Sequence, residues 1–137
     1  MIRPIVKDPM LLSKKSAPAL KNDLPTVIDL IDTLTAHQDH CLGMAANMIG
    51  VQKRIIAIQI GGICMPLINP VIIHTAGKLY ETEEGCLSHN GTKMTKRFPT
   101  ITVSFLDRNW QQQKQTFSDL AAQVIQHEID HCNGILI

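Results

Sequence analysis

Aromatic residues are scarce in this chain of 137 residues, at 4% of the composition, and the formal net charge is only +1. A protein that stacks nucleic-acid bases needs exposed aromatic rings, and one that binds a phosphate backbone or an anionic lipid surface needs a strongly basic face. The chain has neither feature. We therefore expect no direct binding of nucleic acid and no binding to a membrane.

Long hydrophobic runs are also missing. No stretch approaches the roughly 20 apolar residues that a membrane-spanning helix requires. Residues 1–20 contain lysines and prolines where a secretory signal would have an unbroken apolar region. We therefore expect a cytoplasmic protein, in which cysteines are better interpreted as buried thiols or metal ligands than as disulfides. The four cysteines are Cys41, Cys64, Cys86 and Cys132.

The hydrophobic pattern predicts one α+β domain over residues 1–137. A segment broken by three prolines comes first, and the last helix, with Ser118 as its cap, ends at an Asn-Gly pair. Only strands lie between the two helices, which is typical of mixed or antiparallel sheets and not of alternating βαβ units. The predicted helices cover residues 25–36 and 118–132, and the predicted strands cover residues 54–60, 63–68, 78–83, 100–106 and 110–117.

The most specific local motif is a pair of histidines four residues apart, His127 and His131, with Glu128 between them. On a helix, residues at this spacing lie on nearly the same face, so that two imidazoles can bind one metal ion. The carboxylate of Glu128 can then exchange protons with water beside the ion. The alternative is a chance match, with both histidines in the core or at the surface, and a third ligand would decide between the two.

A cysteine upstream of this motif is the best third ligand. Only six residues follow His131, and Cys132 among them points about a quarter-turn away on the helix. Cys86 is favoured because Gly85 lets the backbone come close to an ion, and because a thiolate suits a mixed nitrogen–sulfur site. Two histidines and one cysteine leave one coordination position open, which is typical of a catalytic site. The upstream candidates are Cys41, Cys64, His74, Cys86 and His89.

Three motifs taken together resemble those of the peptide deformylases. The run CLGMAANM at 41–48 resembles the family's Gly-x-Gly-Leu-Ala-Ala-x-Gln, EGCLS at 84–88 resembles its second motif, and QHEIDH at 126–131 resembles its third. Their order and spacing are also those of the family. The similarity extends from Asp8 to Gly134 and so covers almost the whole chain.

The resemblance implies both a fold and a function. The fold is α+β, with a metal-binding helix at the C-terminal end. The function is the removal of the N-formyl group, as formate, from nascent, ribosome-associated peptides that begin with formylmethionine, in a bacterial or organellar setting. One divalent ion is implied, with ferrous iron expected and zinc, nickel or cobalt as alternatives, because the ligand types alone do not choose among these metals.

The resemblance also implies roles for individual residues. Glu128 is expected to move protons, and the backbone N–H of Leu87 is expected to hold the developing oxyanion together with the metal. Arg97 is expected to pair with Glu84 and brace the loop that carries Cys86. The expected metal ligands are Cys86, His127 and His131, and the expected substrate-binding residues, which flank the site and are mostly small or apolar, are Gly43, Met44, Met48, Leu120 and Val124.

Two positions of the first motif depart from the family pattern. Cys41 replaces the first glycine, and Met48 replaces the final glutamine, whose amide donates a hydrogen bond to the oxyanion in the family. Methionine has no donor, so Met48 predicts a slow enzyme unless another group replaces the amide. Asn47 is adjacent, but in an extended segment it would point to the opposite side.

Two other functions stay open at this point. The first is a paralogue that keeps the metal but has weak or redirected N-acyl amidase activity, which Met48 favours. The second is a structural metal site in an interaction protein. The open coordination position and the retained Glu128 both argue against the second function.

Overall fold

Seven strands and three helices form the structure, a computed structural model that describes residues 1–137. The helices are α1 (Pro9–Leu12), α2 (Leu24–Ala36) and α3 (Asp119–Cys132). The strands are β1 (Gly43–Ala45), β2 (Ile55–Ile60), β3 (Ile63–Ala76), β4 (Tyr80–Gly85), β5 (Thr92–Arg97), β6 (Thr100–Leu106) and β7 (Gln112–Ser118). None of the helices combines the length and the hydropathy needed to cross a bilayer.

The strands form two sheets in which every pair is antiparallel. Five strands form one sheet in the order β1-β2-β3-β6-β7, and β4 pairs only with β5 in the other. The predicted strands at 54–60 and 63–68 form a hairpin that turns at Gly61-Gly62, with Ile60 opposite Ile63. The α+β class expected from the sequence is therefore confirmed.

The large sheet is buried on both faces at its β1–β2 end. Alternate residues of β2 enter different apolar clusters: Ile55 and Ala57 pack toward α2, whereas Ile56 and Ile58 pack toward α3. Successive side chains of a strand point to opposite faces, so a continuous apolar run such as Ile55–Ile58 fits a strand covered on both sides. Strand β1 pairs with β2 at this end of the sheet and contacts the same two helices.

Three elements differ from the sequence-based prediction. Helix α1 was not predicted; the Asp8 carboxylate starts it by accepting a hydrogen bond from Met10 N at 3.0 Å. Strand β5 was also missed, because its residues are mostly polar and exposed, which removes the usual alternation. Strand β3 runs eight residues beyond its predicted end at 68, although it contains Pro66 and Pro70.

The N-cap residues of α2 and α3 do not cap with their side chains, although Ser118 occupies the N-cap position predicted for it. Ser118 lies before α3, yet its hydroxyl pairs with Thr100 Oγ1 at 3.1 Å. Asp23 lies before α2, yet its carboxylate accepts from Leu20 N at 2.7 Å. In each case the side chain pairs with a competing group outside the helix.

The end of α3 is fixed by Gly134, and substitution there should be costly. Gly134 has a φ of +76°, and a Cβ at this position would meet the carbonyl oxygen of Ser13 closer than real contacts allow. Gly62 has a similar φ of +80°, with nothing within 4 Å of its Cβ position. An alanine at either position pays about 1–2 kcal/mol for the left-handed backbone, and only Gly134→Ala adds a collision with backbone, of about 1–3 kcal/mol.

We therefore expect Gly134→Ala to lower the free energy of unfolding by clearly more than Gly62→Ala does. Urea denaturation followed by circular dichroism measures both values. Equal losses for the two variants would contradict the collision at Ser13.

Candidate active site

Three side chains that could hold a metal ion converge between the small sheet and α3. His131 Nε2 lies 3.1 Å from His127 Nε2 and 3.4 Å from Cys86 Sγ, and all three ligand atoms lie within 4.8 Å of one another. The two histidines occupy successive turns of α3, and Cys86 directly follows β4. The other thiols and imidazoles considered as third ligands, Cys41, Cys64, His74 and His89, are not part of this cluster.

The donor set fits a divalent ion. His127 Nδ1 donates to Glu84 Oε1 at 2.8 Å, which leaves its Nε2 lone pair directed at the cluster. An imidazole held in this way by a carboxylate is the usual arrangement at protein metal sites. Thiolate and imidazole together suit iron, zinc, cobalt or nickel, and three protein ligands leave a coordination position for water or substrate.

A buried ion-pair network holds Glu84 in place. Arg97 donates from Nε to Glu84 Oε2 at 3.0 Å and from Nη2 to Oε1 at 2.7 Å, and from Nη1 to Asp130 Oδ2 at 2.7 Å. Burial favours the neutral acid, but the hydrogen bonds from His127 and Arg97 outweigh it and lower the pKa of Glu84 to about 2. The expected pairing of Arg97 with Glu84 is confirmed. Glu84 also contacts His127, and Arg97 contacts Asp130, so that the network fastens β4 and β5 to α3.

The site is built to hold positive charge. Burial alone would lower the pKa of His127, but the Glu128 carboxylate, Cys86 and Glu84 raise it to about 10. Burial, with the positive charge of His127 nearby, lowers the pKa of His131 to about 3, so that this imidazole is neutral and able to ligate. Without an ion the two histidines thus share one positive charge, and a metal ion that binds here would displace the proton from Nε2 of His127.

Glu128 has the environment of a proton-transfer group. Its side chain is 4% exposed, and Oε1 has no hydrogen-bond partner. Burial raises the pKa of Glu128 to about 7. The charge of Glu84 adds to this increase, whereas the charge of His127 opposes it. A carboxyl group with a pKa near the working pH can both accept and donate a proton.

A cavity of about 530 Å³ opens at the cluster. Its walls come from the first motif, from the end of β4 and from α3, and four of the expected substrate-binding residues lie on them: Gly43, Met48, Leu120 and Val124. A Cβ on Gly43 would lie 2.5 Å from Val124 Cγ1 and 2.9 Å from Glu128 Oε2. The glycine therefore lets the β1 backbone approach the carboxylate of Glu128 closely.

Comparison with known proteins identifies the family. A family model described as polypeptide deformylase matches residues 2–137. The chain belongs to the peptide deformylase family. A curated peptide deformylase from Clostridium beijerinckii is 55% identical over 137 residues and is covered completely, as is this chain.

Solved structures of the family have the same fold. A peptide deformylase from Legionella pneumophila superposes with a TM-score of 0.88 at 36% identity, over 99% of this chain and 83% of that one. A peptide deformylase from Thermotoga maritima superposes with a TM-score of 0.89 at 29% identity, over 99% of this chain and 95% of that one. The resemblance seen in the three motifs is confirmed, and the chain is an enzyme of a metal-dependent amidohydrolase family.

Met44 does not line the deformylase cavity, contrary to the sequence-based expectation. It is fully buried in the apolar cluster beneath α2, whereas its neighbours Gly43 and Ala45 face α3. The alternation of side chains along β1 separates them. Of two adjacent residues in the motif, only Gly43 can therefore lie at the cavity.

Asn47 and Met48 are also placed differently from the extended arrangement considered above. Residues 46–49 form a 3₁₀ turn, in which Asn47 Nδ2 donates to the carbonyl oxygen of His131 at 3.0 Å. The Met48 sulfur accepts from Ala45 N at 3.5 Å. The amide of Asn47 is thus committed to α3 and is not a donor at the cavity.

Gln123 is a site residue that the sequence analysis missed. It lines the cavity and donates from Nε2 to Glu84 Oε2 at 3.0 Å. It lies one helical turn before His127, so helical spacing from the metal motif would have indicated it. Its amide supplies one of the hydrogen bonds that keep Glu84 ionised.

Glu84 should control metal affinity without touching the ion. In Glu84→Gln the charge that orients His127 and neutralises Arg97 is lost, so we expect metal affinity to fall about 10- to 100-fold. Competition with a chelator, using Zn²⁺, measures the change. Glu83→Gln is the matched control, because Glu83 is the adjacent residue and its carboxylate bonds only to exposed Thr92. Equal affinities in the two variants would remove Glu84 from the support of the site.

Proposed function

We propose that this chain removes the N-formyl group from peptides that begin with formylmethionine and releases formate. The observation that carries the proposal is the buried carboxylate of Glu128, which lacks a hydrogen-bond partner and lies at the cavity beside three convergent metal ligands. An open metal site with an adjacent proton carrier is the arrangement required for hydrolysis of an amide.

The proposed metal ligands are Cys86, His127 and His131. Ferrous iron is the ion we propose, as in the family, and zinc, nickel and cobalt suit the same ligands. When bound, the ion would supply Lewis-acid chemistry: it lowers the pKa of water and polarises a carbonyl oxygen. Substrate binding, proton transfer and stabilisation of the oxyanion then depend on residues of the chain.

The cavity fits the N-terminal end of an extended peptide. It lies between two free strand edges, since β1 pairs only with β2 and β4 pairs only with β5, and both contribute to its walls. An extended peptide can form main-chain hydrogen bonds with such edges. Leu120 and Val124 offer the apolar surface for a methionine side chain. A peptide would thus be held by its backbone, with its first side chain against α3.

Two groups of the chain would act on the reacting amide. Glu128 accepts a proton from the attacking water and delivers it to the leaving amine. The backbone N–H of Leu87 donates to no acceptor within the protein, and Leu87 lies at the cavity beside Cys86. That N–H is free to stabilise the oxyanion that forms on the formyl group. The physiological substrates are then nascent chains in a bacterial cytoplasm.

The alternative considered from the sequence, a paralogue with weak or redirected activity, receives no support from the comparisons. Met48 still bears on the rate, because its thioether offers the oxyanion no donor.

Replacement of Glu128 by Gln should keep the metal and abolish most hydrolysis. The amide has nearly the shape of the carboxylate but cannot accept the proton of water, so we expect formate release to fall on the order of 10²-fold or more. Formate release from a formyl-Met peptide, measured anaerobically with the metal content of each sample, is the test. Cys86→Ala should instead lose tight metal binding, and Cys41→Ala is the control thiol at the same cavity. Unchanged turnover in Glu128→Gln would rule out this role.

Met48→Gln should raise the turnover number more than it lowers the Michaelis constant. A side-chain amide at the cavity can add a donor to the oxyanion, and such a donor contributes about 10²–10³ in turnover where it is fully used. The benefit falls mainly in the transition state. Wild type and variant need equal metal loading, and Met94→Gln, at an exposed position of β5, is the control. No gain in Met48→Gln would mean that the Leu87 N–H and the metal already suffice.

A further inference from the structure

The outer nitrogen of His131 lacks the partner that His127 has. His127 Nδ1 donates to Glu84, whereas His131 Nδ1 is buried and bonds to no atom of the protein. A histidine that binds a metal almost always donates its other N–H to a carboxylate, a carbonyl or a water. His131 is 0% exposed, so bulk solvent does not reach the ring. A specific partner is therefore required.

A second imidazole beside His131 has a complementary unused atom. The His89 ring centroid lies 6.3 Å from that of His131, with 24° between the planes, and His89 Nε2 is also buried without a partner. This separation is at the long end of the roughly 4.5–7 Å range of aromatic pairs. The rings face each other without a direct hydrogen bond, and a buried polar atom that lacks a partner in the protein is commonly satisfied by an ordered water.

We propose that His89 is a positioning residue for the metal site, which acts through one water shared by His131 Nδ1 and His89 Nε2. The inference rests on the proposed function, because it assumes that His131 binds the ion through Nε2. His131 Nδ1 then carries a hydrogen and donates to the water, and the water donates to Nε2 of His89. The chain of donors assigns the neutral tautomer of His89 with its hydrogen on Nδ1.

The position of His89 in the loop suits this role. Its backbone N–H donates to the carbonyl oxygen of Cys86 at 3.2 Å, which closes a turn directly after the thiol ligand. One short loop thus carries Cys86 and also the residue that orients His131. Glu84, at the end of β4, does the same for His127. Each histidine ligand then has its own orienting residue from the segment around Cys86.

Two variants separate a hydrogen bond from simple packing. His89→Phe keeps a flat ring against His131 but removes Nε2. His89→Gln loses the ring but keeps a polar atom at a similar reach. We expect His89→Phe to weaken Co²⁺ affinity about 10- to 100-fold and His89→Gln to bind within about threefold of wild type. His74→Phe, which replaces an exposed imidazole on β3, is the control and should bind as wild type.

Co²⁺ affinity is measured by competition with a chelator, and the visible ligand-field bands of the Co²⁺ protein report ligand orientation. The bands should shift in His89→Phe and stay unchanged in His89→Gln. Thermal unfolding of the metal-free proteins checks that each variant is folded. Wild-type affinity and bands in His89→Phe would overturn the positioning role alone. An equal loss of Co²⁺ affinity in both variants would also overturn the positioning role, in favour of ring packing. A wild-type protein that binds no Co²⁺ would overturn the proposed function as well.

Discussion

The buried network in which Glu84 and Arg97 contact His127 and Asp130 joins the two parts of the structure that carry the proposed metal ligands. No residue of β4 or β5 belongs to either of the large apolar clusters, so the small sheet is not attached to α3 by a hydrophobic core of its own. Its attachment is polar: Glu84 contacts His127, and Arg97 contacts Asp130. The place of the Cys86 loop relative to the histidines therefore depends on these charged hydrogen bonds.

Burial of these charges costs free energy of desolvation, and the hydrogen bonds that the Glu84 carboxylate accepts offset this cost. Glu84 accepts four hydrogen bonds, two from Arg97, one from His127 and one from Gln123. Apolar residues of similar volume could give equal or greater stability. They could not direct an imidazole lone pair at an ion, and they would lose the geometric precision of a bidentate pair. The network is thus better explained by the metal site than by stability.

The sequence predicted the parts of the site that depend on local spacing and on ligand chemistry. His127 and His131 follow from the period of a helix, and Cys86 follows from the kind of ligand that a catalytic ion accepts. The sequence could not place Met44, because the face of β1 that meets the cavity is decided only when α2 and α3 cover the sheet. Strand β5 was not recognised because it is stabilised by pairing with β4 and leaves most of its side chains in solvent. Tertiary pairing, and not local propensity, decides such elements.

Two thiols lie at the same cavity, those of Cys41 and Cys86. Cys41 replaces the first glycine of the motif, and its thiol donates to the carbonyl oxygen of Gly43 at 2.8 Å. Burial, reinforced by the negative charge of Glu128, raises the pKa of Cys41 to about 12. Only a thiolate binds a metal ion well or attacks an electrophile. The Cys41 thiol is therefore protonated at neutral pH, which would keep this second soft ligand from competing with Cys86 for a metal ion.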